Sequence, residues 1–242
     1  MGKYGKNRGR SISSSRRKRQ KQLARRALLL LVVGIFSIGG MIVLCRKIFF
    51  SGEERRREPI TAQTMSEEDW TGAPPLDVEL LDVNEYSRPG TPLREIKGIV
   101  IHYVGNPGTS AKANRDYFQG LKDAHITKAS SHFVVGLEGE IIQCIPSSEI
   151  AYASNERNKD TLAIECCHPD ETGKFNEATY QSVVDLTGWL CTRFDLESTD
   201  VIRHYDVTGK LCPKYFVEHE DAWEQLKRDI QGKIDELKKM ES

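Results

Sequence analysis

Nineteen consecutive uncharged residues, ALLLLVVGIFSIGGMIVLC at positions 27–45, constrain this chain more than any other feature. At a helical rise of about 1.5 Å per residue the run is roughly 28 Å long, close to the hydrocarbon thickness of a bilayer. Residues 1–26 before it carry eleven Lys or Arg and no acid. The chain as a whole is formally neutral, with 35 basic and 35 acidic side chains, so the residues after position 26 keep 24 basic side chains against all 35 acids. Basic flanks stay on the cytoplasmic side of a membrane segment. The expectation is a single-pass cell-membrane protein: a cytoplasmic tail at 1–26, a transmembrane helix at 27–45 in the lipid bilayer, and everything beyond it outside the cell.

Four other readings of this end fit less well. A cleaved signal peptide has a shorter basic region, a shorter apolar run and a small-x-small cleavage site, which is missing here. A lipid-modified Cys45 is disfavoured by the bulky Leu44, and a myristoylated Gly2 by Lys6. The basic arm abuts an apolar segment and has no folded nucleic-acid motif beside it, so no nucleic-acid partner is expected.

Residues 46–75 are charged and lack apolar periodicity, as suits an exposed linker. From 76 to 242 strand and helix patterns alternate. Residues 98–104 (GIVIHYV) read as a buried strand ending at the turn formers Gly105, Asn106, Pro107 and Gly108. Ser110 suits the cap of a helix that turns Tyr117, Phe118 and Leu121 inward. Residues 132–137 and 140–145 flank Glu138-Gly139, a hairpin signal. Residues 161–167 (TLAIECC) form another strand, and Asn176 caps a helix with Tyr180, Val183, Val184, Thr187, Leu190 and Phe194 inward. Residues 201–204 make a short strand, and Trp223, Leu226, Ile230, Ile234 and Leu237 stripe a final helix. The fold class is α/β: a single domain with a central mixed β-sheet flanked by helices, preceded by one N-terminal transmembrane helix. It is expected to be a monomer. The cysteines do not read as a disulfide framework, because Cys45 sits in the apolar run and Cys166 and Cys167 are adjacent in a strand. Cys144, Cys166, Cys167 and Cys191 are expected to be buried small hydrophobes.

His102 stands inside an otherwise apolar strand, where a histidine is more often a core residue than a ligand. His204 ends a second strand, and Cys212 follows eight residues later across a loop that Gly209 can reverse and Pro213 stiffens. Two imidazoles and a thiolate suit one zinc ion, and three protein ligands leave a fourth position open, the layout of a catalytic site. The H-x7-C spacing alone is a common string. Glu165 is an acid in the middle of an apolar strand, costly unless it is paired or functional. Tyr103 and Asn106, just after His102, are candidates for substrate contact, although Tyr103 fits a core position equally well. His125 and His219 read as surface residues.

Four ordered blocks, IVIHYVGNPG, SSHFVVGLEGEIIQCIP, TLAIECCHPDETGKF and VIRHYDVTGKLCPKYF, together resemble the type-2 N-acetylmuramoyl-L-alanine amidases. Their superfamily includes phage-lysozyme-type amidases and peptidoglycan-recognition proteins. The resemblance spans about positions 96–216 and implies that His102, His204 and Cys212 bind zinc. It implies peptidoglycan as substrate, cut between the lactyl group of N-acetylmuramic acid and L-alanine. It also implies a catalytic role for Lys210, as a cation facing the developing oxyanion, where a solvated loop lysine is the bland alternative. Phage-type members carry a tyrosine just before the position of His132, where this chain has Ser131. Proton transfer is therefore assigned to Glu165, with orientation of a ligand as its alternative role. His132 is expected to line the cleft or to bond the catalytic groups, and His168 to lie near the stem peptide. A membrane-held sensor of wall fragments is the main competing function. Recognition-only relatives characteristically lose the cysteine ligand, which this chain keeps. A cytoplasmic recycling enzyme or endolysin conflicts with the apolar run.

Overall fold

The computed structural model describes residues 70–240. The basic tail, the expected transmembrane helix and most of the linker lie outside the described residues. Among those described, no helix is long and apolar enough to cross a membrane. Residues 70–75, read from sequence as linker, pack on the domain: Trp70 stacks on Trp189 with ring centroids 5.6 Å apart. A single aromatic ring in a charged segment gives no periodicity, so its burial is invisible in the pattern.

Six strands form one mixed sheet: β1 (Asp77–Val78), β2 (Ile99–Tyr103), β3 (Phe133–Val135), β4 (Ile141–Gln143), β5 (Leu162–Cys166) and β6 (Val201–Arg203). Their order across the sheet is β1-β4-β3-β5-β2-β6, and only the β3–β4 pair is antiparallel. That pair is the expected hairpin; Gly139 turns it with a φ of 83°, a conformation costly for a side chain with a Cβ. Apart from His102 and Glu165, the parallel strands β2 and β5 turn apolar residues to both faces, as crossover connections covering both sides require.

The helices are α1 (Ala111–Ala124), α2 (Glu177–Arg193), α3 (His204–Thr208), α4 (Lys214–Glu218) and α5 (Glu220–Met240). Ser110 caps α1 by accepting from Ala113 N, and Asn176 caps α2 by accepting from Thr179 N at 2.8 Å. On one side of the sheet Ile99, Ile101, Phe133, Leu162 and Ile164 pack against α2 and α5. On the other, Val134, Ile142 and Cys167 pack against Ala111, Phe118 and Leu121. Tyr117, expected inward, is 50% exposed, because one turn of α1 already covers its strip of sheet with Phe118 and Leu121.

The sequence pattern shows α2 with one apolar stripe, but α2 is buried nearly all round at Leu186, Gly188, Trp189 and Cys191 as well. It lies between the sheet and α5. Gly188 permits this: a Cβ there would come within 2.8 Å of Lys233 Cβ. The five buried thiols of the domain form no disulfide. Ile230 of α5 is fully buried in this layer. Ile230→Ala is expected to cost roughly 2–5 kcal/mol by leaving a cavity between the helices, read as a lower urea midpoint at unchanged slope.

Candidate metal centre

Strand pairing brings the site together. β2 lies between β5 and β6, with Ile101 opposite Arg203 and His102 opposite Glu165. The residue after Arg203 is His204, so the two histidines emerge side by side at the carboxyl ends of parallel strands. Their ring centroids are 4.7 Å apart. His204 does not end the strand as expected; it opens the short helix α3, since Asp206 accepts from the Arg203 backbone N–H at 2.8 Å and starts a turn.

The loop then reverses at Gly209, whose φ is 76°. Tyr205 N–H donates to Cys212 O at 2.8 Å, closing the loop on itself. Cys212, 2% exposed, thereby returns to the histidines with its Sγ 3.9 Å from His102 Nδ1. The ligand atoms of His102, His204 and Cys212 all lie within 4.8 Å of one another. Two ligands at tetrahedral angles about one zinc stand roughly 3.4–3.6 Å apart, so the set fits with adjustments of a fraction of an ångström to about one. His204 Nδ1 is buried and has no hydrogen-bond partner, an orphaned polar atom in a residue of this trio. The Nε2 atoms are engaged elsewhere: that of His102 lies 3.1 Å from Ser154 Oγ, and that of His204 3.1 Å from Asn155 Oδ1.

Burial favours the neutral form of every ionisable group in this cluster. Burial first, then the neighbouring His204 and Lys210, hold His102 well below the usual imidazole range, and burial and Lys210 lower His204. Both rings are therefore neutral and carry a lone pair. Burial, with Glu165 adding to it, pushes the Cys212 thiol up to about 12, against a hydrogen bond from the Tyr103 backbone and the Lys210 charge. A thiol held this high ionises near neutral pH only in exchange for a cation. Burial pushes the Glu165 carboxyl up to about 8, with Lys210 opposing. Its Oε2 is enclosed and unpartnered. Lys210 is exposed on the rim, and its charge reaches His102, His204, Glu165 and Cys212.

The structure does not bring the other sequence candidates to this point. His132 is buried: its Nδ1 accepts from Ala163 N at 2.9 Å and its Nε2 donates to Glu149 O at 2.9 Å. Both ring nitrogens are spent holding β5 to the 146–150 turn, so none is left for a cleft. His168 is buried too, its nitrogens 2.7 and 2.8 Å from the carbonyls of Asp170 and Val104, where it joins the loops after β5 and β2. Tyr103 follows His102 in a strand and so points to the opposite face, against the α2–α5 core and the His168 ring. Asn106 is exposed on its loop. His125 and His219 are exposed, as expected.

One important residue has no counterpart among the sequence candidates. Arg203, 8% exposed, bonds Asp206 of α3, the Phe216 carbonyl of α4 and Glu220 of α5, at 2.9, 2.9 and 2.6 Å. It fixes the helix that carries His204 to the helices behind it. An arginine in a buried strand, three residues before an aspartate, was the available signal.

The family model described as N-acetylmuramoyl-L-alanine amidase matches residues 92–215, which include every residue of the metal cluster. The chain belongs to the N-acetylmuramoyl-L-alanine amidase family. It is 38% identical over 148 residues to the N-acetylmuramoyl-L-alanine amidase CwlL of Bacillus licheniformis, covering 56% of this chain and 41% of that protein. It is 30% identical over 175 residues to the amidase BlyA of Bacillus subtilis (strain 168), covering 64% and 46%. The chain thus spans less than half the length of these curated relatives. Among solved structures, PlyL superposes with a TM-score of 0.57 at 20% identity, covering 65% of this chain and 98% of that one. The catalytic domain of XlyA gives 0.55 at 23%, covering 65% and 99%. These two show the shared fold.

The buried His132 gives a pH-dependent stability. Burial depresses its pKa from 6.5 to about 4, against the helpful carbonyl of Glu149. The unfolded chain takes up a proton below pH 6.5 while the folded chain does not until about pH 4. This contribution is therefore complete above pH 6.5 and is lost as pH falls, by about 3 kcal/mol at the lower end. Urea unfolding between pH 7 and 4 is expected to show that slope, and His132→Gln to flatten it.

Proposed function

We propose that this chain is a zinc-dependent amidase that hydrolyses the bond between N-acetylmuramic acid and L-alanine in peptidoglycan. The observation that carries this is the convergence of His102, His204 and Cys212 beside an enclosed, unpartnered Glu165 carboxylate oxygen. Family membership supplies the bond, and the relatives CwlL and BlyA bear the same activity in their names.

In this reading His102 Nδ1, His204 Nδ1 and Cys212 Sγ hold one zinc ion. When bound, the ion supplies a Lewis acid that polarises the scissile carbonyl and acidifies the attacking water. Glu165 stands level with His102 on the neighbouring strand. Its carboxylate takes a proton from the attacking water and returns it to the leaving amine nitrogen. Burial makes Glu165 a stronger base than an ordinary carboxylate, and the opposing charge of Lys210 favours its ionised form. Lys210 lends its positive charge to the tetrahedral oxyanion from the rim. Asn106, exposed beyond β2, is the remaining candidate for contact with substrate.

The location belongs to the same proposal. Residues 27–45 anchor the protein in the cell membrane, with residues 1–26 in the cytoplasm and residues 76–242 outside, where peptidoglycan lies. The support is the charge asymmetry about the apolar run. A periplasm- or surface-active reporter fused after Ser242 is expected to be active; activity confined to a cytoplasmic reporter would overturn this topology.

The test of chemistry is zinc content of the purified full-length chain together with release of amino groups from cell-wall sacculi. Glu165→Gln is expected to retain zinc and lose roughly 10²–10⁴-fold in turnover. Lys210→Ala is expected to retain zinc and lose on the order of 10²-fold. Cys212→Ala should lose zinc and activity together. A zinc-loaded wild-type chain that releases nothing from sacculi would mark a wall-binding sensor instead.

A further inference from the structure

Both ligand histidines present the same nitrogen to the cluster. His102 Nδ1 faces the Cys212 sulfur and His204 Nδ1 is buried without a partner. A neutral imidazole carries one proton, and the nitrogen that keeps it cannot bind a metal. The proton must therefore sit on Nε2 in both rings. What lies opposite Nε2 decides this, and in both cases it is a side-chain oxygen 3.1 Å away, from consecutive residues: Ser154 for His102 and Asn155 for His204.

The two oxygens differ in strictness. An amide oxygen only accepts, so Asn155 Oδ1 favours the tautomer of His204 that carries its proton on Nε2. A hydroxyl accepts or donates, so Ser154 favours the same form of His102 without enforcing it.

The segment that carries them is itself held in place. Asn158 Oδ1 accepts from the backbone N–H groups of Ala153 and Ser154 at 3.1 and 2.6 Å. Asn155 has a φ of 53°, in the left-handed region that asparagine enters more readily than most residues, and this bend lets neighbouring side chains meet two different rings. At the far end, Arg157 pairs with Asp160 at 2.7 Å and Thr161 donates to Arg157 O at 2.7 Å, tying the segment to the start of β5. Ser154 is 1% exposed.

We infer that Ser154 and Asn155 are positioning residues that select the Nδ1-coordinating form of both histidines and so set the affinity of the site for its metal. This rests on the proposal that the cluster binds zinc.

The test uses the full-length chain labelled with ¹⁵N-histidine, in wild-type form and as Ser154→Ala, Asn155→Gly and Asn155→Asp. Glycine keeps the left-handed backbone and removes the oxygen; aspartate restores an acceptor. Competition with a chromophoric chelator reads zinc affinity, and imidazole ¹⁵N shifts of the metal-free chain read the tautomers. Asn155→Gly is expected to bind zinc roughly 10–100-fold more weakly, with His204 passing from one tautomer to a mixture, and Asn155→Asp to restore both. Ser154→Ala should weaken zinc by a smaller factor and mix the tautomers of His102.

Folded Ser154→Ala and Asn155→Gly proteins with wild-type affinity and wild-type tautomers would overturn the inference while leaving zinc binding intact. A lower melting temperature in Asn155→Gly that aspartate does not repair, with tautomers unchanged, would also overturn it. A wild-type chain that takes up no zinc would remove the zinc reading itself, and the tautomer shifts would still decide what Ser154 and Asn155 do.

Discussion

The parallel pairing of β2 with β5 on one side and β6 on the other is the constraint on which the rest of the site depends. Parallel neighbours keep a fixed register, so residues at one height stay at one height along the whole pair. His102, Glu165 and, one residue beyond the paired end of β6, His204 are therefore level with one another. No flexible element sets the spacing of the two histidines. Only the cysteine arrives by a loop. The layers behind the sheet, α2 and then α5, serve this arrangement by burying one face of the strands, and Arg203 locks the last strand to α3, α4 and α5.

Burial then turns geometry into reactivity. Charged forms are disfavoured where water is excluded. This keeps the histidines neutral, lifts the Glu165 carboxyl toward 8 and raises the Cys212 thiol. The exposed Lys210 opposes burial at Glu165 and Cys212 and adds to it at the two histidines, which it helps to keep neutral. Neutral imidazoles and a thiol that ionises in exchange for a cation are the donors the proposed metal would need.

Much of this was legible in the sequence. The capped helices at Ser110 and Asn176, the hairpin at Gly139 and the β-branched strands all follow from local chemistry that a short window contains, whereas the trio His102, His204 and Cys212 was implied only by the resemblance of four separated blocks. The polar residues anomalous in their surroundings, His102 and Glu165, marked the site because an apolar strand has few reasons to hold them. The misreadings had physical causes. His132 and His168 look like functional histidines but are spent on backbone groups, and three of their four partners lie 17 to 64 positions away. Tyr103 was placed by nearness in sequence, whereas strand alternation turns it away from its neighbour. Ser154 and Asn155 gave no signal at all, because a polar loop reads alike whether or not imidazoles face it. The all-round burial of α2 escaped notice since a stripe pattern counts one partner layer and this helix has two.

The closed loop between His204 and Cys212 has a consequence for how such a site can vary. Its ends are joined by the Tyr205–Cys212 backbone bond and its turn is set by Gly209. Side chains such as Tyr205 and Leu211, which are exposed, can change without moving the sulfur. An inserted or deleted residue cannot, because it would break the bond that joins the ends and carry the third donor out of reach of two that stay fixed in the sheet. Variation here is thus free in composition and closed in length, and the length of one short loop acts as the ruler of the candidate metal centre.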